Sequence, residues 1–294
     1  MTKLVVKLGG STVTKKKETK NFPRDMHQII CSGYEFINWG SLDKISLAIA
    51  GAIRESNAFD TALSLVLVNG AGPFGHYLVW DRINGNKEIT PNLVHQSVEH
   101  LNYEVSACLA ESGIKTVSIH PFNTCSFNGR EYDIVGLWTL ANAYLCDGNI
   151  PITYGDLVPT VGCKSEPFGS HKVISGDDLA TKIAKEWHAD KIIMVTDIPG
   201  LYNKDPDEDP NAKLISRIAV RQVDGIAKDF QNELERYGIE FSAKGIDVTK
   251  GFFGKTFKLY KSTYETGIKS QVCDVNSLEA ALKGKDVGTV YVKT

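Results

Sequence analysis

Short aliphatic runs alternate along this chain with longer segments in which apolar residues recur every three or four positions. Lys3–Leu8, Leu63–Val68, Thr116–His120, Ile150–Tyr154 and Lys191–Thr196 are such runs. Each is short and ends at glycine, proline or a polar residue, so each predicts a buried strand. Helical spacing lies between them. In Leu42–Ser56, Leu42, Ile45, Ile49 and Ile53 share one face. Leu93–Ser112 is closed by Gly113, Ile134–Asp147 by Gly148, and Val223–Gly238 has the same pattern. Two closing strands, residues 268–275 and 287–292, flank a short helix at Leu278–Leu282. Residues 18–40 read as irregular, and residues 80–92 as a loop or lid with an Asn84-Gly85 turn. This alternation predicts an α/β fold: a mainly parallel sheet with helices on both faces. Ligands of such sheets sit beyond the C-terminal strand ends, where Lys7, Gly72, His76 and Asp156 all fall.

Composition narrows the class. The chain has 294 residues, enough for one large α/β domain or two lobes. The loop-like stretch Cys163–His171 predicts a boundary between lobes 1–162 and 163–294 of one continuous fold. With 42% hydrophobic and 23% charged residues the protein is globular. A net charge of −2 gives no basic surface for nucleic acid. No apolar run approaches ~18 residues, so no membrane partner is expected. The N-terminal residues read directly as a strand, so no signal peptide is expected. Cys31, Cys108, Cys125, Cys146, Cys163 and Cys273 form no C-x-x-C and read as free thiols of a reducing, cytoplasmic compartment.

Candidate chemistry gathers at glycine-rich turns. Gly9-Gly10-Ser11 follows the first strand, with Lys7 before it and Lys15, Lys16 and Lys17 after it. Consecutive glycines let backbone N–H groups approach an anion. Ser175-Gly176-Asp177 opens a helix. Ser175 or Asp177 can cap it, and the same end can face a phosphate or its Mg²⁺. Gly254 and Lys255 precede another helical stretch and again suit a phosphate. The acidic run Asp205–Asp209 reads as a solvated loop, and no residue is read as a metal ligand.

Leu63–His76, LSLVLVNGAGPFGH, admits two readings. Gly70, Gly72 and Gly75 satisfy the dinucleotide fingerprint G-x-G-x-x-G, with Glu88 and Glu99 roughly 20 residues on. The same glycines can cradle a transferred phosphate beside His76. An oxidoreductase leaves Gly9-Gly10 and Lys255 without a task, and Pro73-Phe74 fits its fingerprint poorly. No G-x-x-x-x-G-K-[ST] is present, which excludes the P-loop. Nor is there an H-R-D or D-F-G set, which excludes protein kinases.

Taken in order, KLGGS, GAGPFGH, ITYGD, ISGDD, TDIPGLY and the late DVT…GK resemble the amino acid kinase superfamily over nearly the whole chain. The histidine of FGH makes the chain most similar to the isopentenyl phosphate kinases, with fosfomycin kinases as nearest siblings. The resemblance implies a three-layer α-β-α sandwich and a homodimer. It places acceptor binding and dimerisation in the N-terminal lobe, and ATP binding in the C-terminal lobe with Mg²⁺ carried on the nucleotide. It assigns Lys7, Gly9, Gly10 and Ser11 to the ATP phosphates, and Lys15 or Lys16 to the transferring phosphate. Ala71, Gly72 and Gly75 form the turn between donor and acceptor, and His76 meets the acceptor's phosphate. Gly155 and Asp156 form a segment whose carboxylate orients the lysines. Asp177, Asp197, Gly200 and Tyr202 lie on the nucleotide side, and Lys255 near the ATP phosphates. A non-catalytic nucleotide-binding protein of this fold is disfavoured by retention of Lys7, His76, Asp156 and Lys255.

The chain departs from the family pattern in specific places. Ala71 stands where a glycine is usual and adds a methyl facing the acceptor; Lys250 also replaces a glycine. Residues 18–40 and 77–92, which shape the acceptor site, match no family pattern. His76 points to an acceptor that already carries a phosphate or phosphonate, because a bare carboxylate has less need of a cation there. The attacking phosphate oxygen is already anionic, so His76 is expected to position charge rather than remove a proton. The expected activity is phosphorylation of a small phosphate monoester, with another phosphate, a phosphonate or a carboxylate as the alternative acceptor.

Overall fold

The computed structural model describes residues 1–15, 21–59, 62–206, 208–239 and 252–294. Its strands are β1 (Thr2–Leu8), β2 (Leu63–Asn69), β3 (Thr116–Ser118), β4 (Ser126–Phe127), β5 (Tyr132–Asp133) and β6 (Ile150–Tyr154), then β7 (Asp156–Pro159), β8 (His171–Ile174), β9 (Lys191–Thr196), β10 (Arg217–Val220), β11 (Lys269–Asp274) and β12 (Thr289–Lys293). Its helices are α1 (Gly10–Val13), α2 (Met26–Ser32), α3 (Trp39–Ala58), α4 (Gly72–Ile83), α5 (Pro91–Glu111) and α6 (Pro121–Thr124), then α7 (Val135–Cys146), α8 (Gly176–Trp187), α9 (Ile226–Glu235), α10 (Phe252–Thr266) and α11 (Leu278–Leu282).

Eight strands form one sheet in the order β10-β12-β11-β9-β1-β2-β6-β3, and only β11–β12 is antiparallel. Side chains of β1 alternate between its faces. Leu4, Val6 and Leu8 pack with Ile45 and Ile49 of α3, Phe74 of α4 and Leu101 of α5. Val5 packs on the other face with Leu137 of α7, Ile183 of α8 and Leu259 of α10. Two helical layers thus enclose the sheet, giving the expected α-β-α sandwich. Each fully buried aliphatic side chain contributes roughly 1.5–3 kcal/mol. Strands of residues 1–162 and 163–294 share this sheet, since β9 pairs directly with β1. The segment Cys163–His171 joins β7 to its antiparallel partner β8.

Residues 80–83 belong to α4 rather than to a loop. Glycines and Pro73 conceal its start in the sequence, but proline is tolerated in a first helical turn, and Phe74 and Leu78, four apart, are buried. The turn at Asn84-Gly85 is present, with Gly85 at φ +100°. Residues 18–40 contain α2, capped by the Asp25 carboxylate accepting from the Gln28 N–H at 2.9 Å. All six cysteines are free. Among the described residues no helix is long and apolar enough to cross a membrane.

Candidate active site

Two glycine turns meet backbone to backbone at the C-terminal end of β1 and β2. The Gly70 N–H donates to the Leu8 carbonyl at 2.8 Å. A Cβ on Gly10 would sit 2.9 Å from the Gly72 nitrogen, and one on Gly70 would strike the Gly10 nitrogen. Gly72 has φ +50°, and a side chain there would collide with Thr14, whose hydroxyl donates to the Gly10 carbonyl at 2.6 Å. Gly10 and Gly70 are therefore required by the mutual approach of the two turns, and Gly72 by its positive φ and by Thr14. Beneath the turn, the buried Asn102 amide donates to the Asn69 side-chain oxygen at 2.7 Å, fixing the end of β2 against α5. Ser11 donates to Asp197 Oδ1 at 2.8 Å, joining the first turn to the exit of β9.

Charge is concentrated beside these turns. Lys7 Nζ lies 2.7 Å from Asp177 Oδ1, with both side chains largely buried. Ser175, not Asp177, caps α8, which leaves the Asp177 carboxylate for the lysine. Burial alone would push Asp177 up. The Lys7 ammonium, followed by Lys255 and Lys258, outweighs burial and holds its pKa below the usual carboxylate value. His76 lines the cavity, yet protein encloses it enough that desolvation, then the charge of Lys7, with a smaller push from Lys255, lower its pKa against the opposing charge of Asp177. A neutral imidazole beside two lysines is poised to gain a proton when an anion arrives.

These groups line a cavity of about 1060 Å³ with two chemistries. Its charged and glycine-rich part includes Lys7, Ser11, Asp177, Asp197, Tyr202 and Lys255. Its apolar part comes from Val79 and Trp80 of α4, Val94 and Val98 of α5, Leu157 of β7 and Val173 of β8. Gly72, Gly75 and His76 also line it, as does Ala71, whose methyl packs toward Gly75. Lys15 lines the cavity and its N–H donates to the Phe36 carbonyl at 2.8 Å. Lys16 and Lys17 lie outside the described residues, as do Asp247, Lys250 and Gly251. Gly155 packs against the Gly176 nitrogen, and Gly200 against Thr289.

Asp156 requires a correction. Its carboxylate does not meet a lysine: Oδ2 accepts from His95 Nδ1 at 2.8 Å and Oδ1 accepts from the Leu157 N–H at 2.7 Å. Asp177 occupies the position among the lysines. His95 is likewise no ordinary surface or core histidine. Burial would lower its pKa, but the hydrogen bond and charge of Asp156, helped by Glu99, raise it. Its ring stacks on Phe122, which stacks on His171. His120 is hydrogen-bonded to the Tyr154 hydroxyl at 2.7 Å. Sequence reasoning missed His95 because its partner is 61 residues away; the one local sign is the spacing of His95 and Glu99 on one helix face.

The dinucleotide reading loses its acid in this arrangement. Glu99 lines a separate pocket with His120 and Tyr103, and neither it nor Glu88 lines the main cavity. Among the described residues no three His, Cys, Asp or Glu side chains are grouped to hold a metal.

A family model described as the amino acid kinase family matches residues 2–247. The chain is 27% identical to an isopentenyl phosphate kinase of Methanothermobacter thermautotrophicus, over 97% of this chain and 96% of that protein. It is 27% identical to a uridylate kinase of Thermococcus kodakarensis, over 69% of this chain and 89% of that one. A crystal structure of isopentenyl phosphate kinase superposes with a TM-score of 0.70 at 24% identity, covering 98% of this chain and 99% of the other, and shares the fold.

Proposed function

Because the chain belongs to the amino acid kinase family, we propose that it transfers the γ-phosphoryl group of ATP to isopentenyl phosphate, giving isopentenyl diphosphate and ADP. One observation carries the choice of acceptor. His76, the cation-ready group of the glycine turn, lies in a cavity that combines a lysine-lined part with an apolar part. A phosphate monoester with a short hydrocarbon tail fits both chemistries. A nucleoside monophosphate would set its ribose and base against Val79, Val94, Val98 and Val173, which offer no polar side chain. The curated relative of near-complete mutual coverage carries the same activity in its name.

The mechanism needs positioning and charge neutralisation more than covalent chemistry. An oxygen of the acceptor phosphate forms the new bond to the γ-phosphorus, while the bond to the β–γ bridging oxygen breaks and ADP leaves. That nucleophile is already ionised, so no base is required. Lys7 and Lys255 offset the charge that gathers on the transferred group, and Asp177 holds Lys7 in place. Backbone N–H groups of the interlocked glycine turns fit phosphate oxygens that no Cβ obstructs. His76 donates to the acceptor phosphate and takes up a proton as that dianion binds. Mg²⁺ carried by the nucleotide would supply further neutralisation of the phosphates. A homodimer accompanies this reading, and light scattering tests it.

An ADP-release screen decides the acceptor. Isopentenyl phosphate should turn over in preference to fosfomycin, uridine monophosphate and small carboxylates, with dimethylallyl phosphate as a close competitor. Turnover of uridine monophosphate alone would replace the acceptor and keep the phosphoryl chemistry.

A further inference from the structure

Lys258 follows Lys255 by one helical turn on α10, and both side chains line the cavity. Its ammonium is held by α8. Nζ donates to Ser175 Oγ at 3.0 Å and lies 2.8 Å from Asp178 Oδ1. Ser175 Oγ in turn accepts from the Asp178 N–H at 3.1 Å and donates to Asp178 Oδ2 at 2.6 Å. Lys258 thus closes the cap of the helix whose first turn carries Asp177. The rest of α10 is seated on the core by Thr256, Leu259, Tyr260 and Thr263, all buried, so Lys258 adds the polar tie from this helix to the cap of α8.

We propose that Lys258 is a positioning residue for phosphoryl transfer: by clamping the Ser175–Asp178 cap, it holds the start of α10, and with it Lys255, in register with Asp177 and Lys7. The proposal rests on the kinase reading above. Its physical basis is that an ammonium has three donors. Two are committed to Ser175 and Asp178 in charge-assisted contacts, which are stronger than neutral ones. A side chain so engaged fixes two helices rather than reaching for a ligand. Asp177 feels Lys7, Lys255 and Lys258 together, so a shift of α10 changes the field at the pair. Small displacements of charge-bearing groups cost up to about 10²-fold in rate.

The test compares Lys258→Met, Lys258→Arg, Asp178→Asn and the double variant Lys258→Met/Asp178→Asn. Turnover of isopentenyl phosphate, calorimetric binding of Mg–ATP and thermal melting are measured for each. Lys258→Met should lower kcat by roughly tenfold, with acceptor KM within about twofold of wild type. Lys258→Arg should recover most of the loss. Asp178→Asn should reproduce it, and the double variant should be no worse than either single one, because both break the same clamp. If Asp178→Asn kept full turnover while Lys258→Met lost it, Lys258 would be a direct phosphate ligand and the proposal would be overturned. A lower melting temperature with unchanged kcat would overturn it as well, by showing a merely structural contact. Should the wild type phosphorylate none of the acceptors, the kinase reading fails separately. Mg–ATP affinity then decides the clamp: equal losses in Lys258→Met and Asp178→Asn sustain it, and unequal losses reject it.

Discussion

Asp177 and Asp156 are both acids at the C-terminal edge of the same sheet, and both are paired with a basic side chain. Asp177 lies 2.7 Å from Lys7, and Asp156 lies 2.8 Å from His95. Their surroundings differ. Asp177 lines the cavity among lysines, which keep it ionised. Asp156 also borders the cavity, but its side chain is fully buried and joins β7 to α5 through His95. The first pair organises charge for a ligand; the second holds part of the cavity wall in place. Residue type and position at a sheet edge do not separate these roles. The identity and accessibility of the partner do.

The largest expected effect lies at the cavity. Asp177→Asn should lower kcat by about 10²–10³-fold, the size expected when a preorganised electrostatic group is lost. Steady-state kinetics on folded protein checks this, and Asp156→Asn assayed beside it should lose far less turnover. A comparable loss in both would erase the distinction between the two acids.

Next comes the wall. His95→Ala strands a buried carboxylate and should cost about 3 kcal/mol of stability, read by denaturant unfolding, with turnover per folded molecule nearly kept. His95→Asn sharpens this, because it keeps a neutral donor and removes the charge. A histidine whose folded pKa is raised contributes stability that is full below its unfolded value of about 6.5 and is lost as pH rises through the folded value. The stability gap between wild type and His95→Asn should therefore be widest below about pH 6.5 while Asp156, whose own pKa is raised by burial, stays ionised, and shrink as pH rises through the folded His95 value. A gap independent of pH would mean that His95 is uncharged.

His76 gives an intermediate effect confined to the acceptor. A hydrogen bond to a charged group contributes about 1.5–3 kcal/mol, so His76→Asn should raise acceptor KM by roughly tenfold or more while ATP KM stays put. The pKa of His76 is lowered in the free protein and should rise when a dianion binds. Binding then takes up a proton at pH values between the free and bound pKa. Calorimetry in buffers of different ionisation enthalpy should detect that uptake in wild type and not in His76→Asn.

The smallest effect is expected at Ala71. Its backbone is right-handed helical, at φ −77° and ψ −21°. Ala71→Gly should therefore cost about 0.5–1 kcal/mol through added chain freedom and leave turnover within a few-fold. A marked change in acceptor preference would show that the methyl gauges the substrate.

The fold was legible where local rules are strong. The strand runs ending at Leu8, Tyr154 and Thr196 appear at those boundaries, because a buried parallel strand is a continuous apolar run closed by a turn. Helix α4 was not legible, since its first turn is spelled in glycine and proline. Strands β7, β8 and β10, four residues each, were missed because a short strand carries little periodic signal. Lys7, Asp177, Asp197, Tyr202, His76 and Lys255 were named from sequence and line one cavity. The pairing of Lys7 with Asp177 and of Ser11 with Asp197 was not.

By itself the sequence determined the order of the longer strands and most of the long helices, the glycine turns that admit an anion, and the family to which they belong. These follow from local periodicity and from residue types that only certain backbones accept. Tertiary structure decided which acid meets which base. It set Asp177 rather than Asp156 beside the lysines, gave His95 to Asp156, and brought Lys258 onto the cap of α8. Those contacts join residues 61, 83 and 170 positions apart in the chain, and no local pattern encodes a meeting that only the packed sheet and its helices bring about.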